Sequence, residues 1–172
     1  MKLIAVLMLI CISFQTYAQD IVSKPSNESI KLDENYLIIL NDMDNQFENV
    51  RGKLYPSRID FEKRYEAKIY LTGMLNYTNE SDILIGKKYS SYHAEFGPYF
   101  ITDELEKQKD KILYQVMQAT ADKWWGEEID GGMKFTEVAN PLKTVSVYSF
   151  YGDGSGMFIR VLYKVRPLQK ST

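Results

Sequence analysis

Apolar positions between Thr102 and Trp125 recur every three or four residues, which is the spacing of one face of an α-helix. Asp103 and Glu106 have the spacing of a capping box at the start of this helix, and Gly126 is suited to end it. The predicted apolar face consists of Leu105, Ile112, Leu113, Val116, Met117, Ala121 and Trp124. A helix with one apolar face needs a hydrophobic surface to pack against.

A second helix is predicted from Asp33 to Arg51, with Asp33 as its N-cap and Gly52 as its end. The short run from Leu37 to Leu40 would also fit a strand, but the longer helical spacing favours a helix. The apolar face of this helix consists of Tyr36, Leu40, Met43, Phe47 and Val50. The stretch from Lys53 to Glu62 is predicted to be a connection.

Two strands are predicted between the helices. Apolar and polar side chains alternate from Tyr65 to Leu71, which is typical of a half-buried strand. A longer strand is predicted from Ile83 to Phe96, although its alternation changes phase near Gly86. Because a glycine inside a strand often marks an extra residue, we expect a β-bulge at this position.

Three further strands are predicted after the second helix. The first runs from Met133 to Ala139 and is closed by an Asn-Pro pair. The other two run from Thr144 to Tyr151 and from Met157 to Arg166. They flank Gly152–Gly156, a loop rich in residues that tolerate positive φ, and so predict a β-hairpin.

The predicted order of elements is therefore α-β-β-α-β-β-β. Short connections favour antiparallel pairing, and two amphipathic helices suffice to cover one face of a sheet. We expect a two-layer α+β domain with a mostly antiparallel sheet of about five strands and both helices on one face. No internal repeat is visible in the sequence. Residues 33–167 would form this single domain, between a flexible leader at 19–32 and a short tail at 168–172.

Residues 1–18 have the parts of a secretory signal peptide: Lys2, the apolar run Leu3–Ile12 and a small-residue cleavage site that ends at Ala18. The run is shorter than the roughly 20 residues of a membrane-spanning helix. Cys11 lies inside the run, which argues against a lipoprotein. We therefore expect a secreted or periplasmic protein whose mature chain has no membrane span.

The amino-acid composition excludes several kinds of site and partner for this protein. Cys11 is the only cysteine, so the mature chain would contain neither disulfides nor thiol chemistry. A formal net charge of −2 argues against a nucleic-acid binder, which is usually strongly basic. A single histidine excludes a standard zinc site, and Glu127–Gly132 and Asp153–Ser155 do not follow the calcium-loop pattern. No metal and no cofactor is predicted.

His93 is the only histidine, so any histidine-based catalysis would have to use it. On a strand, Ser91, His93 and Glu95 share one face. A histidine beside a carboxylate could act as a general base, which keeps a small hydrolase as the alternative function. The plainer interpretation is a strand histidine on a wet surface. Because catalytic motifs are otherwise missing, the sequence favours a domain that is not an enzyme.

The last predicted strand has two rows of side chains. The uncharged row is assigned to the core: Met157, Ile159, Val161, Tyr163 and Val165. The other row would then face away from the helices: Phe158, Arg160, Leu162, Lys164 and Arg166. Tyr70, Tyr148 and Phe150 are predicted to join this outward row, so aromatic rings and cations would share one surface.

Six outward residues are the candidate binding residues: Tyr70, Tyr148, Phe150, Phe158, Arg160 and Lys164. Aromatic and arginine side chains are the usual anchors of binding surfaces. The expected function is thus an exported, non-catalytic binding domain for a protein, a glycan or an amphiphile. The alternative for this face is a solvated sheet surface, because cross-strand aromatic pairs also stabilise sheets by themselves.

Overall fold

The computed structural model describes residues 31–56, 62–75, 82–152 and 156–166. The predicted signal peptide, the leader up to residue 30, the loop at 153–155 and the predicted tail lie outside the described residues.

Within these ranges the chain forms two α-helices and eight strands. In the first half they are α1 (Glu34–Asp42), β1 (Arg51–Tyr55), β2 (Glu62–Ala67), β3 (Asp82–Gly86) and β4 (Ser90–Tyr99). In the second half they are α2 (Thr102–Thr120), β5 (Trp124–Ile129), β6 (Gly132–Glu137), β7 (Lys143–Gly152) and β8 (Gly156–Val165). A short 3₁₀ helix follows each α-helix, at Met43–Asn45 and Ala121–Lys123.

All eight strands belong to one antiparallel sheet in the order β1-β2-β3-β4-β8-β7-β6-β5. Each half of the chain is therefore a helix followed by a four-stranded meander, and the halves join where β4 pairs with β8. The α+β class is confirmed. The predicted number of about five strands is wrong, and the structural repeat is not visible in the sequence.

The first missed strand is β1, because α1 ends earlier than Arg51. The Asp42 carboxylate accepts hydrogen bonds from the backbone N–H groups of Asn49 and Val50, at 2.8 and 3.0 Å. These bonds hold a turn in which Gln46 and Phe47 have φ of 53° and 62°. The turn redirects the chain into β1, so the helical spacing of the apolar residues continues past the end of the helix itself.

The second feature that the sequence prediction missed is the reversal of the chain between β3 and β4. The prediction of one long strand with a bulge near Gly86 is wrong, because two strands join there in a tight hairpin. The backbone N–H of Gly86 donates to the carbonyl of Tyr89 at 2.9 Å. Ile83 lies opposite Tyr92, so the apolar residues on both sides of the turn face the core. The phase change in the sequence marks this turn.

The third missed strand is β5, because α2 ends at Thr120 rather than near Gly126. The Thr120 hydroxyl donates to the carbonyl of Val116 at 2.9 Å, and Ala121 follows with φ of 46°. Gly126 lies in β5 and does not cap the helix. Asp103 is not the N-cap either, since Ile101 occupies that position without a side-chain cap.

The core lies between the helices and one face of the sheet. Its buried residues on the central strands include Tyr92, Phe96, Ile159, Val161 and Tyr163, while the helices contribute Tyr36, Ile39, Leu105, Ile112, Leu113 and Val116. The inward assignment of alternate residues on β8 is therefore correct. The Gln115 side chain joins the helices, because its Oε1 accepts from the Asp33 N–H at 2.7 Å. Neither described helix is long and apolar enough to cross a membrane.

Candidate functional site

The face of the sheet opposite to the helices, here called the outer face, carries most of the predicted site residues. Because side chains alternate along a strand, the neighbours of each buried core residue point to this face. In the row that crosses its centre, Tyr148 lies opposite Arg160, and Arg160 lies opposite Glu95. The row thus brings β7, β8 and β4 together at the junction of the two halves.

An aromatic–arginine cluster forms on the outer face from Tyr148, Phe150, Phe158, Arg160 and Glu95. The rings of Phe150 and Phe158 are stacked with centroids 5.6 Å apart, and the Tyr148 ring lies 6.3 Å from that of Phe150. The Arg160 guanidinium lies 4.6 Å from the centroid of the Phe150 ring. Each ring therefore has a neighbour that limits its rotation.

Arg160 is held in this cluster by polar contacts as well. Its Nε donates to Glu95 Oε1 at 2.7 Å, its Nη2 also bonds to that oxygen, and its Nη1 donates to the Tyr148 hydroxyl at 3.3 Å. Burial disfavours the charge of Arg160, but the hydrogen bonds to Glu95 and Tyr148 outweigh it and raise the pKa of the guanidinium. Arg160 is therefore a fixed cation whose charge is largely balanced by Glu95.

His93 lies next to this cluster and is half-buried, which differs from the expected histidine on a wet surface. Its Nε2 lies 2.9 Å from the hydroxyl of Ser91. Burial, together with the positive charges of Arg160, Lys164 and Arg64, lowers the pKa of His93 to about 4. The imidazole is therefore neutral at pH 7. The Ser91 side chain is fully buried, so a substrate could not reach its hydroxyl without rearrangement of the sheet surface.

Other charges on the outer face also have partners. Arg64 forms an ion pair with Asp82 on the neighbouring strand, and Lys134 contacts Glu127 at 2.6 Å. Lys164 lies 4.1 Å from the centroid of the Tyr89 ring. Burial raises the pKa of Asp82, and this effect exceeds that of Arg64, which lowers the pKa. With the Arg160–Glu95 pair, three cations of this face are paired with carboxylates, so the face presents both hydrogen-bond donors and acceptors.

Four of the six candidate residues meet in the cluster: Tyr148, Phe150, Phe158 and Arg160. Lys164 shares the face but contacts Tyr89. Tyr70 does not join them, because it follows the end of β2 and packs against the core on the helix side.

Two residues that matter on this face are absent from the candidate set. Glu95 orients Arg160, and its place on the same strand face as His93 was visible in the sequence. Only the pairing of β4 with β8 connects it to Arg160, and no local signal indicates that pairing. Trp125 is exposed on β5. The sequence prediction had placed it at the end of a helix, so its position on the sheet was not expected.

A concavity of about 180 Å³ lies on the helix side, between α1, the end of α2 and the strands β5 to β7. Lys143 lines it and contacts Asp44 at 2.6 Å and Glu137 at 3.1 Å. Burial disfavours the charge of this lysine, but both hydrogen-bonded carboxylates raise its pKa. The lysine is thus fixed in an ion-pair network that joins the 3₁₀ helix after α1 to the sheet.

Comparison of the chain with protein-family models, with curated proteins and with solved structures finds no match. In the described ranges, no group of three or more His, Asp or Glu side chains is placed to hold a metal ion. The site therefore has to be interpreted from its own geometry.

Proposed function

We propose that the protein is an exported, non-catalytic binding domain that docks another protein on the outer face of its sheet. The aromatic–arginine cluster would be the centre of the contact. The observation that carries the proposal is the fixed position of Arg160, which is held by Glu95, Tyr148 and the Phe150 ring while remaining partly exposed.

Fixed aromatic and arginine side chains are suited to protein recognition. Tyr, Trp and Arg are the residue types that contribute most binding energy in protein interfaces. A side chain that is already ordered loses less conformational entropy when it binds. Tyr148 and Arg160 satisfy both conditions, because each is restrained by a neighbour in the free protein.

The dimensions of the outer face also agree with this function. Eight strands about 4.8 Å apart span roughly 34 Å, and a strip about 20 Å long across them has an area of ~700 Å². This area is close to the ~800 Å² that each partner buries in a standard interface. The three ion pairs on this face favour a partner of mixed polarity over a strongly acidic or strongly basic one.

A photocrosslinking experiment tests the proposal in the cells that make the protein. The crosslinking amino acid p-benzoylphenylalanine replaces Leu162 on the outer face or, as the matched control, Lys111 on the exposed side of α2. We expect a protein adduct from position 162 and not from position 111, and mass spectrometry identifies the adduct.

The purified partner is then titrated against two double variants. Tyr148→Ser with Arg160→Ser should weaken binding by about tenfold or more, because it removes both anchors. Lys111→Ser with Tyr114→Ser removes the same two kinds of group from α2 and should leave the affinity unchanged. Equal affinities of all three proteins would return the outer face to the status of a solvated sheet surface.

The hydrogen bond between Ser91 and His93 favours a second function, that of a small hydrolase. Two observations oppose it: Ser91 is fully buried, and Glu95 is engaged by Arg160 instead of orienting His93. Hydrolysis of p-nitrophenyl acetate by the native protein, lost in both Ser91→Ala and His93→Gln variants that remain folded, would establish the enzyme. We expect no difference between the three proteins.

A further inference from the structure

The two edge strands of the sheet, β1 and β5, differ in how regular they are. β1 pairs with β2 through a register shift between Arg51 and Leu54, and a bulge of this kind protects a sheet edge from further pairing. β5 pairs with β6 at six consecutive positions without any shift. No other strand of the described residues pairs with β5, and its second side is here called the open edge. Of the two edges, the open edge is therefore the one suited to accept another strand.

The hydrogen bonds of β5 show which of its backbone groups point to the open edge. The Val138 N–H donates to the carbonyl of Lys123 at 2.9 Å, which makes these opposite residues a hydrogen-bonded pair. Hydrogen-bonded and non-hydrogen-bonded pairs alternate along an antiparallel ladder. Trp125, Glu127 and Ile129 therefore bond to β6. The backbone N–H and C=O groups that point to the open edge belong to the residues between them: Trp124, Gly126 and Glu128.

The side chains beside the open edge are an aromatic ring and an excess of acids. Trp125 is 47% exposed on the outer face. Glu127 is neutralised by Lys134 at 2.6 Å. One exposed base, Lys123, is outnumbered by the exposed acids Asp122, Glu128 and Asp130. A strand that pairs here would thus meet unbonded backbone groups, an apolar ring and negative charge.

These charges distinguish between a second copy of the chain and a different partner. Two copies of β5 would match all their outward backbone groups in the antiparallel register that places Gly126 opposite Gly126. That register brings Glu128 of each copy near Asp122 of the other, and like charges on facing strands are destabilising. The whole chain also has a formal net charge of −2. A segment with basic side chains would instead be attracted to the open edge.

We propose that the open edge of β5 binds an extended, basic peptide segment of another protein as a ninth strand of the sheet. Hydrogen bonds to the outward groups of Trp124, Gly126 and Glu128 hold the segment, and its alternate side chains give the preference. Apolar side chains on one face of the segment cover Trp125, because residues of a non-hydrogen-bonded pair lie only about 4.5 Å apart. Basic side chains on its other face lie beside Glu128.

This contact is separate from the one proposed for the aromatic–arginine cluster. β5 lies three strands away from β8, which corresponds to roughly 14 Å across the sheet. No residue of the cluster belongs to β5. The Tyr148→Ser/Arg160→Ser variant should therefore bind the peptide as the native protein does.

Fluorescence anisotropy of two labelled octapeptides tests the proposal, one of alternating Lys and Val and one of alternating Glu and Val. The native protein is compared with Glu128→Pro and with Glu128→Ala. Proline removes an N–H that points to the open edge and leaves the bonds to β6 intact. Alanine removes the same charge and keeps that N–H, so it is the matched control. Circular dichroism and unfolding midpoints verify that both variants are folded.

Amide hydrogen exchange, followed by NMR, tests the same contact without any substitution. The Lys-Val peptide should slow exchange at the amides of Gly126 and Glu128, which gain hydrogen bonds when a strand is added. The amide of Trp125 already bonds to β6 and is the internal control. Slower exchange at the two outward amides distinguishes strand addition from a diffuse attraction between charges.

We expect the Lys-Val peptide to bind at least about tenfold more tightly than the Glu-Val peptide. Glu128→Ala should weaken its binding by about two- to threefold, and Glu128→Pro by at least about tenfold more. Equal binding by the two variants, unchanged exchange at both outward amides, or no binding of the Lys-Val peptide would overturn the proposal. So would a concentration-dependent dimer of the native protein that is lost in Glu128→Pro alone, because the open edge would then pair with a second copy.

Discussion

The two halves of the chain share one order of elements and differ in how each is held together. In the first half α1 has 9 residues and β1, β2 and β3 are short. In the second half α2 has 19 residues and both β7 and β8 have 10. A short helix buries little surface, so the first half depends more on polar contacts such as those of Asp42. The long α2 supplies the second half with an apolar face of its own.

The halves also contribute differently to the outer face. The first half supplies paired charges, including Glu95 and the Arg64–Asp82 ion pair. The second half supplies the aromatic rings of Tyr148, Phe150 and Phe158 in addition to Arg160 and the Lys134–Glu127 ion pair. The two sets meet only where β4 pairs with β8. The candidate site is therefore a product of the junction, and neither half would form it alone.

The largest expected effect comes from breaking that junction. Ile159 on β8 is fully buried and lies opposite Phe96 on β4. Ile159→Ala should destabilise the protein by about 2–5 kcal/mol, because it leaves a cavity where both halves meet. Urea unfolding followed by circular dichroism and by tryptophan fluorescence measures this loss.

Both signals should change in a single transition, since neither half has a closed core without the other. Leu162→Ala, on the same strand but half-buried on the outer face, is the control and should cost clearly less. Two separate transitions in the native protein would contradict this dependence of the halves on each other.

The next largest loss of stability is expected at the end of α1, and none of similar size is expected at the end of α2. Asp42→Ala removes a buried acceptor shared by the N–H groups of Asn49 and Val50, so we expect a loss of about 2–3 kcal/mol. Asp122→Ala changes an exposed carboxylate after α2 and should cost less than about 0.5 kcal/mol. Thermal unfolding of both variants measures the difference. Similar losses would mean that Asp42 does not hold the turn.

These contacts explain how far the sequence could predict the structure. The spacing of apolar residues found α2 and the inward row of β8, because burial on one face repeats at every turn or every second residue. It extended α1 too far, because Phe47 and Val50 continue the helical spacing while Asp42 folds them into a turn. Single polar contacts of this kind leave no periodic trace in a sequence.

The candidate site shows the same limit. The outward row of β8 was predictable from its charges, and Tyr148 and Phe150 were assigned to the same side. The contact of Arg160 with Glu95 joins residues 65 positions apart, and it depends on a strand order that local patterns do not contain. Tyr70 was assigned by extending the alternation of β2 past Ala67, where the strand ends.

The pH dependence of stability tests whether His93 on the outer face is shielded from water as a core residue would be. The pKa of His93 is lowered from 6.5 to about 4 in the folded protein, chiefly by burial. Between those two pH values the unfolded chain binds a proton that the folded protein does not, so stability should fall as pH decreases from 6.5 to 4. We expect a contribution of roughly 1–3 kcal/mol over this range.

Urea unfolding at a series of pH values measures that slope. Carboxylates titrate in part of the same range, so the decisive quantity is the difference between the native protein and His93→Gln. The variant should fold normally and lose this part of the slope. Parallel stability curves for the two proteins would show that His93 is not shielded from water on the outer face.

The smallest effect compares two equivalent tyrosines on the central strands of the two halves. Tyr92 on β4 lies opposite Tyr163 on β8, with ring centroids 5.8 Å apart in an edge-to-face arrangement. The Tyr92 hydroxyl donates to the carbonyl of Ile69 at 2.7 Å. The Tyr163 hydroxyl is buried and has no hydrogen-bond partner among the described residues. Burial raises the pKa of both side chains, so both are neutral at pH 7.

Removing the two hydroxyls should therefore have opposite consequences. Tyr92→Phe should cost about 1 kcal/mol, because the carbonyl of Ile69 loses its donor. Tyr163→Phe should be neutral or stabilise the protein by up to about 1 kcal/mol, because an unpaired buried hydroxyl no longer has to be desolvated. The two variants keep the same rings, so their difference in unfolding free energy isolates the hydroxyls. A loss of similar size in both would mean that Tyr163 has a partner after all, most simply a buried water molecule.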